Sequence, residues 1–494
     1  MENLSYFIKG ALIELHLNIY KYLLLVAMIA LFMPAFALPI AINNFCITVY
    51  FILMIICTLY CLIFNFKYFN KSFTALLSFR ATKFLFLYFG WLIFISLAHA
   101  LLGNSSLIKS FLSVFVRFIN VFLPFLLGFI FVKYFKNQKT FKFLYIFVWG
   151  IMLWGIFNFI AFYFDIEIFK SIFNFFVNKR LFMKNLSELE VMIGDFPRIH
   201  SVFEEPSYLA AFIGAFLPFI YKISFSNLKI TANKILNKIL KILMPLVAWG
   251  LIIGTFSPIY LILNIIITYI YILVENGIKI KFSFKTTCLF FFALVLMYCF
   301  YCYFISIDTT NNVLLRIQAV LKTFSDINLL IMAEQSLGRR LIDIINEFII
   351  FLNNPFLGVG PSNLGTSLFK QIQNSPVILT PEVELAMLKG KDTYLSTPNI
   401  FFNYLPESGL IGIVLLYAFF ISVFKSINRI LRYTQNNIYN FAYSLKYFVL
   451  IYIIFSFYDS QLWFPYGLVV FGIALGFVYN IKKELRGNNE NINS

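Results

Sequence analysis

The sequence predicts an all-α integral membrane protein with about 12 transmembrane helices and two large extracytoplasmic loops that contain short amphipathic helices. Of its 494 residues, 61% are hydrophobic and 12% are charged, and the mean hydropathy is +0.85. A soluble domain is about 45–50% apolar and about 25% charged. This composition excludes a soluble protein. The net charge of +17 therefore indicates sorting of basic residues to one side of a membrane, and no nucleic-acid partner is expected.

Apolar runs that could cross a bilayer recur along the whole chain. We predict spans at 21–42, 45–64, 84–102, 111–132, 143–164, 207–221, 239–254, 258–274, 286–305, 409–424, 447–458 and 463–480. The runs 239–254 and 258–274 share one apolar stretch that is broken by Gly254, Ser257 and Pro258. We interpret them as a tight hairpin, and a single long broken helix is the alternative.

The distribution of charge predicts which side each connection faces. With both termini in the cytoplasm, the inner segments carry 25 Lys and Arg against five Asp and Glu, whereas the outer segments carry 13 against 17. This bias is the one that inner loops normally show. The spans and the sides that their connections face divide the chain into five regions. These are 1–164 (spans 1–5), 165–206 (outer loop), 207–305 (spans 6–9), 306–408 (large outer loop) and 409–494 (spans 10–12 and cytoplasmic tail).

A charged segment closes the first outer loop, where Arg198, His200, Glu204 and Glu205 precede Pro206. Proline suits the first turn of a helix, so the positive end of the next span points outward at this segment. Helix N-termini bind phosphates, basic side chains hold anions, and a carboxylate can take a proton. The alternative is a capping box with a surface ion pair.

Arg117 lies inside the fourth predicted span, about two turns below its outer end. A charge at that depth is costly unless it is paired or hydrated, and it therefore indicates a functional position. The alternative is that the long side chain extends to the outer headgroups.

An amphipathic helix is predicted within the second outer loop. Apolar residues from Leu341 to Leu352 recur at helical spacing, Asp343, Asn346 and Glu347 take the other face, and the helix should stop before Pro355. Arg339 and Arg340 begin this helix, where the dipole disfavours cations unless an anion binds. Gly358 and Gly360 follow; glycines allow close backbone approach to a phosphate, and an ordinary turn is the alternative.

The second loop ends with Pro398, Asn399 and Glu407 immediately before the tenth span. We interpret Glu407 as a cap of that span and His99, near the outer end of the third span, as a packing histidine.

Three of these segments resemble the O-antigen and capsule repeat-unit polymerases (Wzy type) and the related O-antigen ligases. The similar stretches are Arg198…Phe203-Glu204-Glu205-Pro206-Ser207…Ala210, Asn354-Pro355-Phe-Leu-Gly358-Val-Gly360 and Pro398-Asn399…Gly409-Leu-Ile-Gly412. The third departs from the ligase pattern, because Pro398 stands where the ligases have their catalytic histidine. The resemblance thus favours a polymerase over a ligase.

The resemblance implies glycan transfer outside the cytoplasmic membrane of a bacterium. A growing chain would move from undecaprenyl diphosphate to a hydroxyl of another lipid-linked oligosaccharide, with no cofactor and no metal. The implied partners are those lipid-linked substrates, membrane lipids and a chain-length regulator.

The residue chemistry matches this expectation. Arg198, Arg339, Arg340 and Arg117 could bind the diphosphate, since arginine binds phosphate bidentately. Glu205, Glu204 and His200 are the candidate proton acceptors. Tyr208, Gly358, Gly360 and Asn399 are assigned to glycan or loop contacts. A flippase or other transporter is the alternative from another class, although such proteins typically have internal repeats and mid-membrane charges.

Overall fold

The computed structural model describes most of the helical parts of the chain. The described residues are 2–31, 37–42, 45–102, 107–170, 192–193, 196–197, 199, 206–225, 233–255, 257–275, 326, 328–329, 331, 335–361, 363–380, 383–384, 387, 400–434, 436–457 and 465–492. Within them the chain is mainly α-helical, with two short antiparallel strand pairs.

The helices are α1 (Glu2–Leu31), α2 (Val49–Phe64), α3 (Phe66–Leu77), α4 (Arg80–Leu101), α5 (Leu107–Tyr163), α6 (Pro206–Phe225), α7 (Lys234–Gly254), α8 (Pro258–Glu275), α9 (Gln335–Asn353), α10 (Leu364–Gln373), α11 (Ile400–Ile430), α12 (Asn436–Phe455) and α13 (Pro465–Ile492). A 3₁₀ turn, Leu431–Tyr433, follows α11. The strands are β1 (Ala37–Ile42) with β2 (Phe45–Thr48), and β3 (Met192–Ile193) with β4 (Phe196–Pro197).

Six helices in the described part are long and apolar enough to cross a membrane, and the bent pair α2–α3 raises the number to seven if it counts as one span. They lie in α4, α5, α6, α7, α11 and α12. The chain is therefore a helical membrane protein, as the composition predicts. The number of 12 spans stays a prediction, and the proposed span 286–305 lies outside the described residues.

Helix α5 reverses direction, although its residues are helical almost throughout. Lys136 interrupts it with φ 61° and ψ 169°. The ring centroids of Phe131 and Phe143 are 4.9 Å apart, whereas 12 residues of straight helix separate two residues by about 18 Å. The chain thus folds back at Lys136, between the predicted spans 111–132 and 143–164.

A second reversal joins α7 and α8. The Tyr221 hydroxyl accepts a hydrogen bond from Trp249 Nε1 at 2.7 Å and lies 3.1 Å from Thr268 Oγ1. In one straight helix, residues 249 and 268 would lie about 28 Å apart. The hairpin interpretation of 239–274 is therefore confirmed, and the single broken helix is excluded.

The first two predicted spans are wrong in part. Helix α1 ends at Leu31 and 37–42 form a strand, so no helix runs through 21–42. The sequence has a proline at position 34, which cannot continue the hydrogen bonding of a helix. The run 45–64 likewise begins as strand β2, and α2 and α3 meet at an angle of 113°. Helix α12 begins at Asn436, well before the predicted 447.

Glycines allow α13 to pack closely on the first arm of α5, which is the part of that helix before Lys136. A Cβ at Gly472 would lie 1.9 Å from the Phe125 carbonyl oxygen, and one at Gly476 would lie 2.9 Å from that of Phe129. Two small residues four apart let helix backbones approach each other in a membrane. This packing fixes the arm of α5 that carries Arg117.

Helix α6 occupies the interior of the bundle. The 18-residue apolar stretch of α6 that could cross a membrane is 89% buried inside the protein, whereas the corresponding stretches of α4 and α7 are 33% and 22% buried. Helices α9 and α10 form a smaller apolar cluster with the segment after α9, in which Ile342, Ile350, Val359 and Leu368 are buried. The predicted amphipathic helix is confirmed and ends at Asn353, next to the Asn-Pro pair that predicts its end.

Candidate functional site

A buried ion pair joins Arg117 of α5 to Glu407 of α11. Arg117 Nη1 donates to Glu407 Oε2 at 2.6 Å, and the side chains are 27% and 2% exposed. The other carboxylate oxygen, Oε1, is buried and has no hydrogen-bond partner in the described part of the chain. Glu407 is therefore not the cap that the sequence predicts, and the side chain of Arg117 is directed at its carboxylate.

Helix α11 is broken where it carries Glu407. Gly409 has φ 66° and ψ −176°, which separates 400–408 from 410–430. The segment 354–361 fills the break. Val359 and Gly360 donate their backbone N–H groups to the carbonyls of Pro406 and Glu407, at 2.8 and 3.0 Å, and Leu410 donates to the Pro355 carbonyl at 2.8 Å. Non-helical backbone inside a membrane protein requires such internal partners.

Gly358 and Gly360 make the close approach of this segment sterically feasible. Their φ angles are +66° and +87°, in the left-handed region. A Cβ at Gly358 would lie 2.5 Å from the Glu407 carbonyl oxygen, and one at Gly360 would lie 2.8 Å from the His99 ring. The space beside the two glycines, which a bound phosphate would have to enter, is filled by protein atoms. The geometry therefore fits the interpretation of the glycines as turn residues.

Helix α4 completes the surroundings of the ion pair. Trp91 Nε1 donates to the Ser408 carbonyl at 2.8 Å. His99 Nε2 lies 3.0 Å from the Gly358 carbonyl and must carry the hydrogen, since a carbonyl only accepts; its Nδ1 has no partner within the described regions. Tyr88, whose buried hydroxyl also lacks a partner there, lies close to both charges.

Tyr404 gives the guanidinium an aromatic contact, with Arg117 Cζ 5.4 Å from the ring centroid. Arg117 lies ten residues after the start of α5 at Leu107, or about 15 Å along the axis. It therefore lies almost three helical turns from the start of α5. The result is a polar junction of α4, α5, α11 and the segment 354–361, which we call the Arg117–Glu407 junction.

A second buried polar group lies on α9. Asp343, Asn346 and Glu347 are 0% exposed. Both carboxylate oxygens of Glu347 lack a hydrogen-bond partner among the residues whose placement is described. Burial, and to a lesser degree the charge of Asp343, raise the pKa of Glu347 well above its ordinary value.

The structure tests only some of the site residues that the sequence suggests. Arg198, His200, Glu204, Glu205 and Asn399 lie outside the described residues. Arg339 belongs to α9, where its side chain is not described, and Arg340 is half-buried on the same helix. The side chain of Tyr208 is 6% exposed, which leaves little of the ring for stacking on a sugar.

Sequence reasoning missed the partner of Arg117 and the burial of the acidic face of α9. Glu407 lies 290 residues from Arg117, so no local spacing signals the pair. A signal does exist in the Pro406-Glu407-Ser408-Gly409 sequence, since a proline and a glycine that flank an acid in an apolar run are typical of a broken span.

Comparison with protein-family models matches no family, and no curated protein matches the chain.

Proposed function

We propose that this protein polymerises lipid-diphosphate-linked oligosaccharides at the outer face of the bacterial cytoplasmic membrane, with both termini in the cytoplasm. The observation that supports the proposal most strongly is the meeting of two segments that carry the sequence resemblance. The segments 354–360 and 406–412 are joined by the backbone hydrogen bonds of the α11 break. Their interlocking gives a physical reason for two short motifs to occur together in one chain.

The proposed reaction forms one bond and breaks one. The hydroxyl oxygen of the acceptor sugar bonds to the anomeric carbon of the donor glycan, and the bond from that carbon to the diphosphate breaks. The hydroxyl proton passes to a carboxylate, and undecaprenyl diphosphate leaves with the electron pair. The protein must therefore supply cations for the leaving group and a base for the acceptor.

The cations are the arginines outside the Arg117–Glu407 junction. Arg339 and Arg340 stand in the first turns of α9, whose positive dipole end adds to the attraction for an anion. Arg198, which the sequence assigns to the first outer loop, is the third proposed cation. Because Glu407 already neutralises Arg117, we assign Arg117 to holding α5 and α11 together at the junction rather than to the diphosphate.

The candidate bases from the sequence are Glu205, Glu204 and His200, which adjoin the start of α6. The substrates would reach them from the outer leaflet. A chain-length regulator is the proposed protein partner.

The test is chain extension by the purified protein in liposomes that contain an undecaprenyl-diphosphate-linked oligosaccharide. Wild type should give a ladder of longer glycans, and Arg198→Ala should abolish it at normal protein level. Arg429→Ala is the matched control, because Arg429 is exposed near the end of α11. Glu205→Gln should bind the lipid-linked substrate and lose turnover. Wild-type chain lengths in Arg198→Ala would refute the diphosphate assignment.

A transporter for the same lipid-linked oligosaccharide is the second candidate, and the Arg117–Glu407 junction favours it. Broken helices with charged groups near mid-membrane are typical of secondary transporters. The same liposomes discriminate the two functions. A transporter would move a labelled lipid-linked oligosaccharide between leaflets and leave its glycan length unchanged, whereas a polymerase would lengthen the glycan.

A further inference from the structure

Three lysines meet where α3, α5 and α13 pack together, at the end of the first arm of α5. Lys133 lies three residues before the reversal at Lys136. Lys71 belongs to α3, and Lys483 belongs to α13. The charges of Lys71 and Lys483 both act on Lys133, so the three ammonium groups are neighbours in space. We call this group the lysine cluster.

The ammonium group of Lys133 is fixed in place by two neighbouring helices. Its Nζ donates to Ser72 Oγ of α3 at 2.8 Å. It also lies 5.0 Å from the ring centroid of Tyr68 and 5.5 Å from that of Tyr479, and aromatic rings attract a cation. A lysine ammonium has three N–H donors, and Ser72 accepts only one of them. Lys133 is therefore a positioned cation with donors to spare.

The protein supplies no counter-charge to the lysine cluster in the part of the chain that is described. The ion pairs there involve Arg117 and Lys170 and none of the three lysines. Helix α3 contains no Asp or Glu, and Glu484, which follows Lys483 on α13, is exposed. Like charges at close range repel one another, and an anion between them would turn this repulsion into attraction.

The lysine cluster is open to a ligand from outside the protein. Lys71 and Lys483 are exposed, and Lys133 is half-buried, so an anion at the surface can meet all three without entering a cavity. A fourth lysine adds to the positive charge. Lys482 Nζ lies 5.5 Å from the ring centroid of Phe79, in the connection between α3 and α4, and this places it beside the same end of the helix bundle.

Exposed apolar side chains stand beside these charges, at the bend from α2 into α3. Ile63 is 69%, Phe64 is 50% and Phe66 is 62% exposed, and the two helices meet at 113°. Lys67 follows Phe66 directly, and Lys71 lies about one turn further on. An amphipathic helix with lysines on its polar side is typical of a membrane surface. These features suit a ligand that combines an anion with hydrocarbon, as a phospholipid does and a free phosphate does not.

The lysine cluster is remote from the Arg117–Glu407 junction. Arg117 and Lys133 lie on the same arm of α5, 16 residues apart, or about 24 Å along the axis. The charge distribution of the sequence predicts that the end of the arm at Lys136 faces the cytoplasm. The lysine cluster therefore belongs to neither the proposed polymerase site nor the outer loops.

We propose that the lysine cluster binds the phosphate headgroup of an anionic phospholipid, whose acyl chains lie against the apolar residues at the α2–α3 bend. The phosphate oxygens accept hydrogen bonds from Lys133, Lys71 and Lys483. Basic groups between transmembrane helices are suited to such headgroups. The bound lipid ties α3 to α5 and α13, because it replaces the repulsion among the lysines with attraction. This inference does not depend on the proposed polymerase function.

Native mass spectrometry of the full-length protein in a neutral detergent tests the site. The probes are phosphatidylglycerol and phosphatidylcholine with the same acyl chains. Lys71→Gln/Lys483→Gln removes two exposed charges and keeps the contact of Lys133, and Lys234→Gln/Lys238→Gln is the matched control with two exposed lysines of α7. One lysine near an anionic headgroup contributes about fivefold to binding. We therefore expect the cluster variant to bind phosphatidylglycerol about 25-fold more weakly and the control to bind it like wild type.

Thermal unfolding separates a lipid site from a cluster that only holds the helices together. Without added lipid, Lys71→Gln/Lys483→Gln should melt at or above the temperature of wild type, because it removes repulsion at Lys133. Phosphatidylglycerol should raise the Tm of wild type and of the control, since a ligand of the folded state stabilises it, and should leave the cluster variant unchanged. A lower Tm of the cluster variant without lipid would overturn the proposal, because the lysines would then be stabilising on their own.

The remaining outcomes decide the ligand and the place. Equal affinity of wild type for phosphatidylglycerol and phosphatidylcholine overturns the headgroup assignment, and equal weakening in the α7 control overturns the placement at the lysine cluster. Inorganic phosphate is the third probe, and its displacement of phosphatidylglycerol would assign the site to a free anion instead of a lipid. Wild type that binds phosphatidylglycerol through these lysines and extends no glycan supports the lipid site and overturns only the polymerase.

Discussion

Removing Glu407 while Arg117 stays should destabilise the protein more than removing both. Glu407→Gln keeps the shape of the side chain but leaves a buried guanidinium without its counter-charge. Arg117→Met leaves a carboxylate that is 2% exposed. The double variant Arg117→Met/Glu407→Gln contains neither charge, and replacing a buried ion pair by uncharged groups is often close to neutral.

The magnitude follows from the distance and the exposure. At 2.6 Å and an effective dielectric constant of about 20, the attraction is about 6 kcal/mol. Most of it offsets the cost of removing both charges from water, whereas breaking a buried pair from one side costs about 3–5 kcal/mol. Because the side chain of Arg117 is 27% exposed and thus only partly buried, the lower end of this range applies. We therefore expect a loss of about 3 kcal/mol for Glu407→Gln and about 1 kcal/mol for the double variant.

Thermal unfolding in detergent, followed by tryptophan fluorescence, measures the four proteins of this cycle. The coupling is refuted if the losses in free energy of unfolding of the two single variants add up to the loss of the double variant. Chain extension by the double variant then tests the role of Arg117. A stable and active double variant supports the structural role, while a stable but inactive one would assign Arg117 to the diphosphate.

Three further variants test the junction and the acidic face. Gly358→Ala should lower the free energy of unfolding by about 1–3 kcal/mol, because its Cβ would lie 2.5 Å from the Glu407 carbonyl oxygen. The control is Gly90→Ala, whose Cβ would have no atom within 4 Å and which should be neutral or stabilising in thermal unfolding. Trp91→Phe loses one hydrogen bond to the helix break and should cost about 1 kcal/mol. Burial raises the pKa of Glu347 above its ordinary value of 4.5, so the folded state binds the proton more tightly and stability falls as pH rises above that value. Unfolding curves at pH 5 and 8 should show a smaller fall in Glu347→Gln, and an equal fall would contradict the assignment.

The class of fold could be predicted from the sequence because lipid imposes a simple pattern on it. Long apolar runs predicted α4, α6, α7 and α8 with nearly correct bounds. The interruption at Gly254, Ser257 and Pro258 predicted the α7–α8 hairpin. The same rule failed for 21–42, because apolarity measures solubility in lipid and not helicity, and prolines divide that run.

The candidate site was less predictable because its contacts join distant parts of the chain. Arg117 could be recognised from its depth, since a charge in an apolar run is costly. Its partner could not, because several acids in the outer loops were equally plausible. The amphipathic pattern of α9 was visible, but the pattern alone does not say which face meets protein and which meets lipid. Burial of Glu347 had to come from the packing of α10 and α11 around it.

The break in α11 also affects how the chain enters the bilayer during synthesis. The Pro406 and Glu407 carbonyls receive their donors from residues made 47 positions earlier, and Leu410 finds its acceptor at Pro355, 55 positions earlier. Those partners have left the ribosome before the broken span emerges. Insertion can therefore close the gap as soon as position 410 appears, and no bare peptide group needs to wait in hydrocarbon for a later part of the polypeptide.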